Sequence, residues 1–366
     1  MKVAVFQPAL PAYRVDFFRR LAQAYGSCFA LYYSPVDMGA LTSAHDVQPW
    51  ERPIGVMRHP VRGVEWQVGA LSVRINRGDL VVVCGAPRTL STLLVLLKAR
   101  LKGARSIWWG QYWTAGASPR RQRMTMRLVH LADAILFYTD AEVARFHAEG
   151  WRHRGPVGSL NNGLDLTDVV RTRQPYQASA RGRSLLFIGR LTAKADLGLA
   201  IHALARPELS DVTLHVIGDG DQRVQLRAQA EALNVADRIV WHGGTTDERR
   251  IGEVANRCAA FIYPGQVGLS LIHAMGYGLP CLVHGDSAQQ MPEIAAFEDG
   301  KTGRMFERGS VESLAQAAVA LLETPAEREA MAARCIQIVE DAYTTARMAE
   351  RFLAFADRLM KAEPVE

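Results

Sequence analysis

"AAFIYPGQVGLSLIHAMGYGLPCLVHG" (residues 259–285) reads as strand, turn, helix, turn and strand. The apolar runs AAFIYP (259–264) and PCLVHG (280–285) flank a helix carrying Leu269, Leu271, Ile272, Ala274 and Met275, which Gly278 and Pro280 close. Short, continuously apolar strands joined by a crossover helix imply a parallel pair covered on both faces. Gly265 and Gly268 permit close backbone approach to the helix start, where free N–H groups carry partial positive charge and can hold a phosphate. Val267, Gly268, Leu269 and Ser270 are expected to supply those groups, Ser270 adding its hydroxyl. His273 lies about one turn further on, within reach of a ribose or phosphate.

The same alternation runs outward from this unit. LLFIGR (185–190), TLHVIGDG (213–220) and RIVWHG (238–243) read as further buried strands, as do VAVFQP (3–8), CFALYYS (28–34), LVVVCG (80–85), SIWWG (106–110) and AILFYT (134–139). Helical patterns occupy 16–25, 89–101 and 120–131. A polar stretch, RTRQPYQASARGRS (171–184), separates the two series and is expected to be a linker. The fold class is therefore α/β: a Rossmann-like domain over 1–170 and a second over 185–340, with a cleft between them.

Composition agrees with a soluble globular protein. Of 366 residues, 49% are apolar and 22% charged, and five scattered cysteines form no CxxC pair. No apolar run approaches the ~18 residues a membrane span needs. The opening MKVAVFQP enters a strand without a signal-peptide layout, so a cytoplasmic location is expected. Charge is uneven: residues 1–175 hold 23 Lys and Arg against 12 Asp and Glu, a net of +11, while the remainder is net −5. The basic stretches KARLKGAR (98–105) and RRQRMTMR (120–127), near Trp108, Trp109, Tyr112 and Trp113, suit an anionic membrane surface or a lipid-diphosphate acceptor. No nucleic-acid motif accompanies them.

Open parallel sheets bind ligands outside the carboxyl ends of their strands, and the unusual residues fall there. FIGRLTAK (187–194) ends a strand at Gly189 and places Arg190 and Lys194 on the next loop, a planar fork and a point charge that suit a diphosphate. VIGDGDQ (216–222) contains Gly218 in half a dinucleotide fingerprint, a weak signal that reads more readily as a structural turn. In QPALPAYRVDFF (7–18), Tyr13 and Arg14 are expected to project polar ends from a loop toward an acceptor.

The series GRL…K, HVIGDG, WHG, YPGQVGLSLIHAMGYGLP, MPEI and DGKTGRMF, in that order, resembles the retaining glycosyltransferases of family 4 (glycosyl transferases group 1). The resemblance is strong over about 185–320 and weaker over the first half. It implies a GT-B fold, with an acceptor domain, a nucleotide-sugar domain and a final helix (341–366) returning to the first. It further implies that Arg190 and the Gly268–Ser270 helix start hold the donor diphosphate. The strand end bearing His242 would lie against the base, and Glu293 would line the site. The family's E-x(7)-E motif is replaced by Gly265 and His273, leaving Gln266 as the nearby polar residue, and Gln111 stands where many relatives carry a histidine. The lysine position aligns without a gap on Ala195, one residue after Lys194. Retaining transfer of a sugar to a glycan or lipid-linked glycan, as in bacterial surface polysaccharide or glycolipid assembly, is the function implied, with no metal cofactor. A non-catalytic nucleotide-sugar-binding protein and an epimerase of the same fold remain the alternatives.

Overall fold

The computed structural model describes residues 1–35, 47–113 and 118–362. The chain divides into two units: one comprises Met1–Asp165 and the chain from Thr345 on, the other Leu166–Thr344.

The first unit is built on strands β1 (Val3–Gln7), β2 (Phe29–Tyr33), β3 (Glu51–Pro53), β6 (Leu80–Cys84), β7 (Arg105–Trp109), β8 (Ala134–Phe137) and β9 (Val157–Ser159). They form one parallel sheet in the order β3-β2-β1-β6-β7-β8-β9, with β4 (Met57–Val61) and β5 (Val64–Gln67) as a separate antiparallel pair. Helices α1 (Ala12–Tyr25), α2 (Leu90–Leu101), α3 (Pro119–Leu128) and α4 (Asp140–Ala148) connect the strands. The central strands VAVF and LVVV are buried along their length because helices cover both faces. On one face, Phe17, Phe18 and Leu21 of α1 pack with Trp109, the ring centroids of Phe17 and Trp109 lying 5.5 Å apart.

The second unit is entered through α5 (Thr167–Thr172). Its strands are β10 (Ser184–Ile188), β11 (Thr213–Ile217), β12 (Ile239–Gly243), β13 (Ala260–Tyr263), β14 (Cys281–His284) and β15 (Gly303–Phe306). They form a parallel sheet in the order β12-β11-β10-β13-β14-β15, the order of a dinucleotide-binding domain. Helices α6 (Leu197–Leu204), α7 (Arg223–Ala232), α8 (Glu248–Ala255), α9 (Leu269–Gly276), α10 (Val311–Leu322) and α11 (Pro325–Ala342) cover it.

After α11 the chain returns to the first unit as α12 (Thr345–Lys361). Met348, Phe352 and Phe355 of α12 join the core containing Phe17 and Trp109. Thr345 Oγ1 donates to Asp16 at 2.6 Å, and Arg351 donates to the Ser159 carbonyl at 3.0 Å and to Asp140.

The segment 171–184, expected as a linker, is instead stitched into the second unit. Arg181 donates to the carbonyls of Ala255 and Cys258 at 2.9 and 2.8 Å, its guanidinium 4.2 Å from the Tyr176 ring centre. Arg173 donates to the Gly276 carbonyl at 2.9 Å. Its polar residues thus satisfy carbonyls past helix ends that would otherwise lack donors.

Candidate functional site

β10 and β13 are neighbours in the second sheet although two strands and three helices of chain separate them, and the chain leaves their carboxyl ends toward opposite sides. This is the topological switch point, where a parallel sheet opens a crevice. The two loops above it are bonded together: the N–H of Gly265 donates to the Ala195 carbonyl at 3.0 Å and that of Gln266 to the Lys194 carbonyl at 2.9 Å. The approach is so close that a Cβ on Gly265 would lie 2.0 Å from the Lys194 carbonyl oxygen. The β10 and β11 ends are drawn together likewise. Gly189 donates to the Ile217 carbonyl at 3.0 Å, and a Cβ on Gly218 would lie 1.9 Å from the Gly189 carbonyl oxygen. Gly265 and Gly218 are therefore steric requirements of this end of the sheet.

Arg190 and Lys194 are both exposed on the first of these loops, while Ala195 is fully buried. Ala195 faces the packed interior, so Lys194 presents the ammonium on this loop. Across from it, α9 begins after Gly268. The N–H groups of Gly268, Leu269 and Ser270 have no acceptor among the described residues, as expected of a first turn. Val267 differs from its expected role: its N–H is already taken by the buried Gln290 side chain at 2.8 Å, and its own side chain is fully buried. Gln290, whose Nε2 also donates to the His284 carbonyl at 3.2 Å, fixes the approach to the helix instead. Glu293 is buried beside the helix start, its Oε2 3.8 Å from where a Cβ on Gly268 would stand.

His273 is half-buried and hydrogen-bonded, Nε2 to Oε1 of Glu248 at 2.8 Å. Glu248 opens α8, beyond the carboxyl end of β12, and also accepts from the Tyr277 hydroxyl, which contacts Thr172 Oγ1 at 2.9 Å. Burial pushes the Glu248 carboxyl upward, but the hydrogen bonds from His273 and Tyr277 outweigh it and hold the group below its ordinary value. A carboxylate therefore stands behind the imidazole. Glu248 was not legible in the sequence: it precedes His273 by 25 residues and belongs to no local motif. His242 faces a second missed partner, His215 of β11, with Nε2 3.0 Å from Nδ1 and the rings nearly parallel. Burial lowers the affinity of both rings for protons, which favours two neutral imidazoles sharing one hydrogen.

In the first unit, Gln111 follows Gly110 at the carboxyl end of β7 and is half-buried. Tyr13 and Arg14 lie in the first turn of α1, not on a loop, because that helix begins at Ala12. Tyr13 is exposed, but Arg14 is buried rather than projecting. Trp108, Trp109 and Tyr112, read beside the basic stretches, are buried core residues. Arg120, Arg121, Arg123 and Arg127 of α3 are exposed. A cavity of about 150 Å³ lies at the switch point between β1 and β6, with Gln7, Pro8, Cys84 and Arg88 in its lining. Among the described residues, no helix is long and apolar enough to cross a membrane, and no three His, Cys, Asp or Glu side chains are placed to hold a metal ion.

Residues 170–338 match the family described as glycosyl transferases group 1. Over 177 residues the chain is 28% identical to phosphatidyl-myo-inositol mannosyltransferase of Mycobacterium leprae, covering 46% of this chain and 45% of that protein. Over 103 residues it is 27% identical to lipopolysaccharide 1,6-galactosyltransferase of Salmonella typhimurium, covering 26% and 28%. The matched part thus spans less than half the length of these curated relatives. The crystal structure of HepE from Anabaena, solved in complex with UDP, superposes over 98% of this chain and 100% of its own, with a TM-score of 0.70 at 15% identity. That likeness establishes the architecture, two Rossmann-like units in one chain, which is GT-B.

Proposed function

We propose that this chain, whose residues 170–338 match the family described as glycosyl transferases group 1, moves a sugar with retention from a nucleoside-diphosphate donor to a glycan or lipid-linked glycan. The observation that carries this reading is the bonding of the 190–195 loop to the 264–268 loop at the switch point. It sets two exposed cations and an open helix start on one edge of the sheet. Charge grows on the departing diphosphate as the sugar bond breaks, and preorganised cations and N–H groups stabilise it without reorganisation or a metal. Arg190 and Lys194 take that role, with Gly268, Leu269 and Ser270 binding through their backbone. Gly189 and Gly218 present their backbone to the donor, and Gln266 and Glu293 line the sugar end.

His273 is assigned to the ribose. With its Nε2 proton held by Glu248, Nδ1 is left as an acceptor for a ribose hydroxyl. His242 is assigned to the base edge. Gln111 orients the reacting groups, and Tyr13 and Arg14 contact the acceptor. Support for a nucleoside diphosphate comes from the UDP complex of HepE, and for a lipid-linked acceptor from the named mannosyltransferase. The exposed arginines of α3 support contact with the inner, anionic face of a membrane by a cytoplasmic protein, in surface polysaccharide or glycolipid assembly.

A nucleotide-sugar-binding protein without turnover is the second reading. Gly265 favours it, since no side chain fits where the family places its first glutamate. Calorimetry with UDP, GDP and ADP tests the donor site: one nucleotide should bind, and Arg190→Ala should weaken it about tenfold or more, the loss of a charge-assisted bond. Binding of none of them, or binding indifferent to Arg190, would remove the donor assignment. Release of nucleoside diphosphate from the matching UDP-, GDP- or ADP-sugar separates turnover from binding alone.

A further inference from the structure

The first unit buries a cation that no carboxylate among the described residues neutralises. Arg14 is only 7% exposed, and its guanidinium lies 5.2, 5.3 and 5.8 Å from the ring centres of Trp109, Tyr13 and Tyr138. Its side-chain hydrogen bond runs from Nη1 to Met348 Sδ at 3.5 Å, a weak acceptor that also takes the Gly163 N–H at 3.0 Å. Arg181, equally buried, differs sharply, because its guanidinium satisfies two backbone carbonyls. Aromatic faces offset part of the desolvation of a guanidinium but leave its in-plane N–H groups unused. Nε and Nη2 of Arg14 are not among the fully enclosed unpartnered atoms, so solvent reaches them.

The surroundings place this cation at the ligand-binding edge. α1 follows β1, Trp109 ends β7, Tyr138 follows β8 and Gly163 follows β9, so these four segments meet Arg14 at the carboxyl edge of the sheet, with Met348 of α12 beside them. The first turn of α1 carries no acidic residue, and its helix start adds partial positive charge. Arg14 also acts electrostatically on the thiol of Cys84, which lines the cavity between β1 and β6.

We propose that Arg14 is the recognition point for an oxyanion carried by the acceptor, a phosphate ester or a uronate carboxylate, bound by the free edge of its guanidinium. This rests on the first unit's being the acceptor side. The aromatic cage holds the fork in one orientation, and bidentate pairing with an incoming oxyanion supplies the counter-charge the protein lacks.

Trp109, beneath the guanidinium, serves as the reporter. Tryptophan emission is titrated with glycerol 3-phosphate, glucuronate and neutral glucose on wild type, Trp109→Phe, Arg14→Met, Arg14→Lys and Arg190→Ala. A saturable change with at least one of the two anions and none with glucose is expected, absent in Trp109→Phe and Arg14→Met and intact in Arg190→Ala. Arg14→Lys, which keeps the charge but not the fork, should bind about tenfold more weakly, the value of one hydrogen bond. The anion that responds identifies the oxyanion. No response to either anion, or one that persists in Arg14→Met, overturns the proposal. If Arg14→Met fails to fold by its melting curve, undiminished affinity in Arg14→Lys overturns it instead. UDP titrated in parallel keeps the readings apart: loss of UDP binding in Arg190→Ala alone concerns the donor site, and loss of anion binding in Arg14→Met alone concerns this one.

Discussion

Gly265→Ala provides the sharpest test of how the second unit is assembled. The added methyl would stand 2.0 Å from the Lys194 carbonyl oxygen and 2.7 Å from the Ala195 carbonyl carbon, both backbone atoms that no rotamer change can move. Relief requires the two loops to part, and they are joined by the hydrogen bonds Gly265 to Ala195 and Gln266 to Lys194. Forced overpacking costs about 1–3 kcal/mol. A buried group stripped of its partner costs about 1–3 kcal/mol more. The sum is roughly 2–6 kcal/mol, a large share of the roughly 5–15 kcal/mol that holds a typical domain folded. For a unit of this size each kcal/mol lowers Tm by about 2–4 °C, so a fall of roughly 4–24 °C is expected. Scanning calorimetry measures it, with Gly244→Ala as control: there the nearest atom, Asp219 Cβ, is at an ordinary 3.4 Å. The same variant should lose nucleotide affinity, because Lys194 and the start of α9 would no longer share one geometry. Restoring the family carboxylate by Gly265→Glu should do worse still. A Gly265→Ala protein melting within a degree or two of the control would refute the close approach and the reasoning built on it.

Two further outcomes are expected. Because the Glu248 carboxyl is held below its ordinary value of 4.5, it contributes stability present above that value and lost as pH falls through the lowered one. Denaturant titrations from pH 3 to 7 should therefore show wild type more stable than Glu248→Gln at neutral pH, the gap closing on the acid side; a gap that is constant with pH contradicts the His273–Glu248–Tyr277 arrangement. His284 is 1% exposed and neither ring nitrogen has a partner among the described residues, so His284→Leu should raise stability by about 1 kcal/mol or more, read as a higher denaturation midpoint. A lower midpoint would show that the imidazole is satisfied by something the protein itself does not supply.

The strands were legible wherever burial on both faces made them continuously apolar, as in LVVVC or SLLFI. Elements that lack this signature were not. β3 is the polar edge segment Glu51–Pro53, most of the β4–β5 hairpin is exposed, and β9 contains a glycine among three residues. The site divides in the same way. Arg190, Lys194 and the glycines before α9 follow their strands directly, so strand order locates them. Glu248, Gln290 and His215 act through partners 23 to 27 residues away, and no local pattern encodes such a meeting. Arg14 defeated the rule that charged residues stay outside, since aromatic rings take the place of water over the faces of its guanidinium and leave only its edge to solvent. The polar 171–184 stretch misled for a related reason: its donors were needed at helix ends and not by solvent.

The return of α12 to the first unit has a consequence for synthesis. Phe352 and Phe355 belong to the same core as Phe17, yet the whole of Leu166–Thr344 is translated between them. At about 5–20 residues per second, roughly 10–35 s pass after Asp165 is added before the last helix is made. Throughout that interval the apolar face of α1 waits on the ribosome without its cover, while the later unit has everything it needs to close. The portion made first is therefore the portion finished last, and a chaperone that shields a nascent chain would find its longest-lived client surface here.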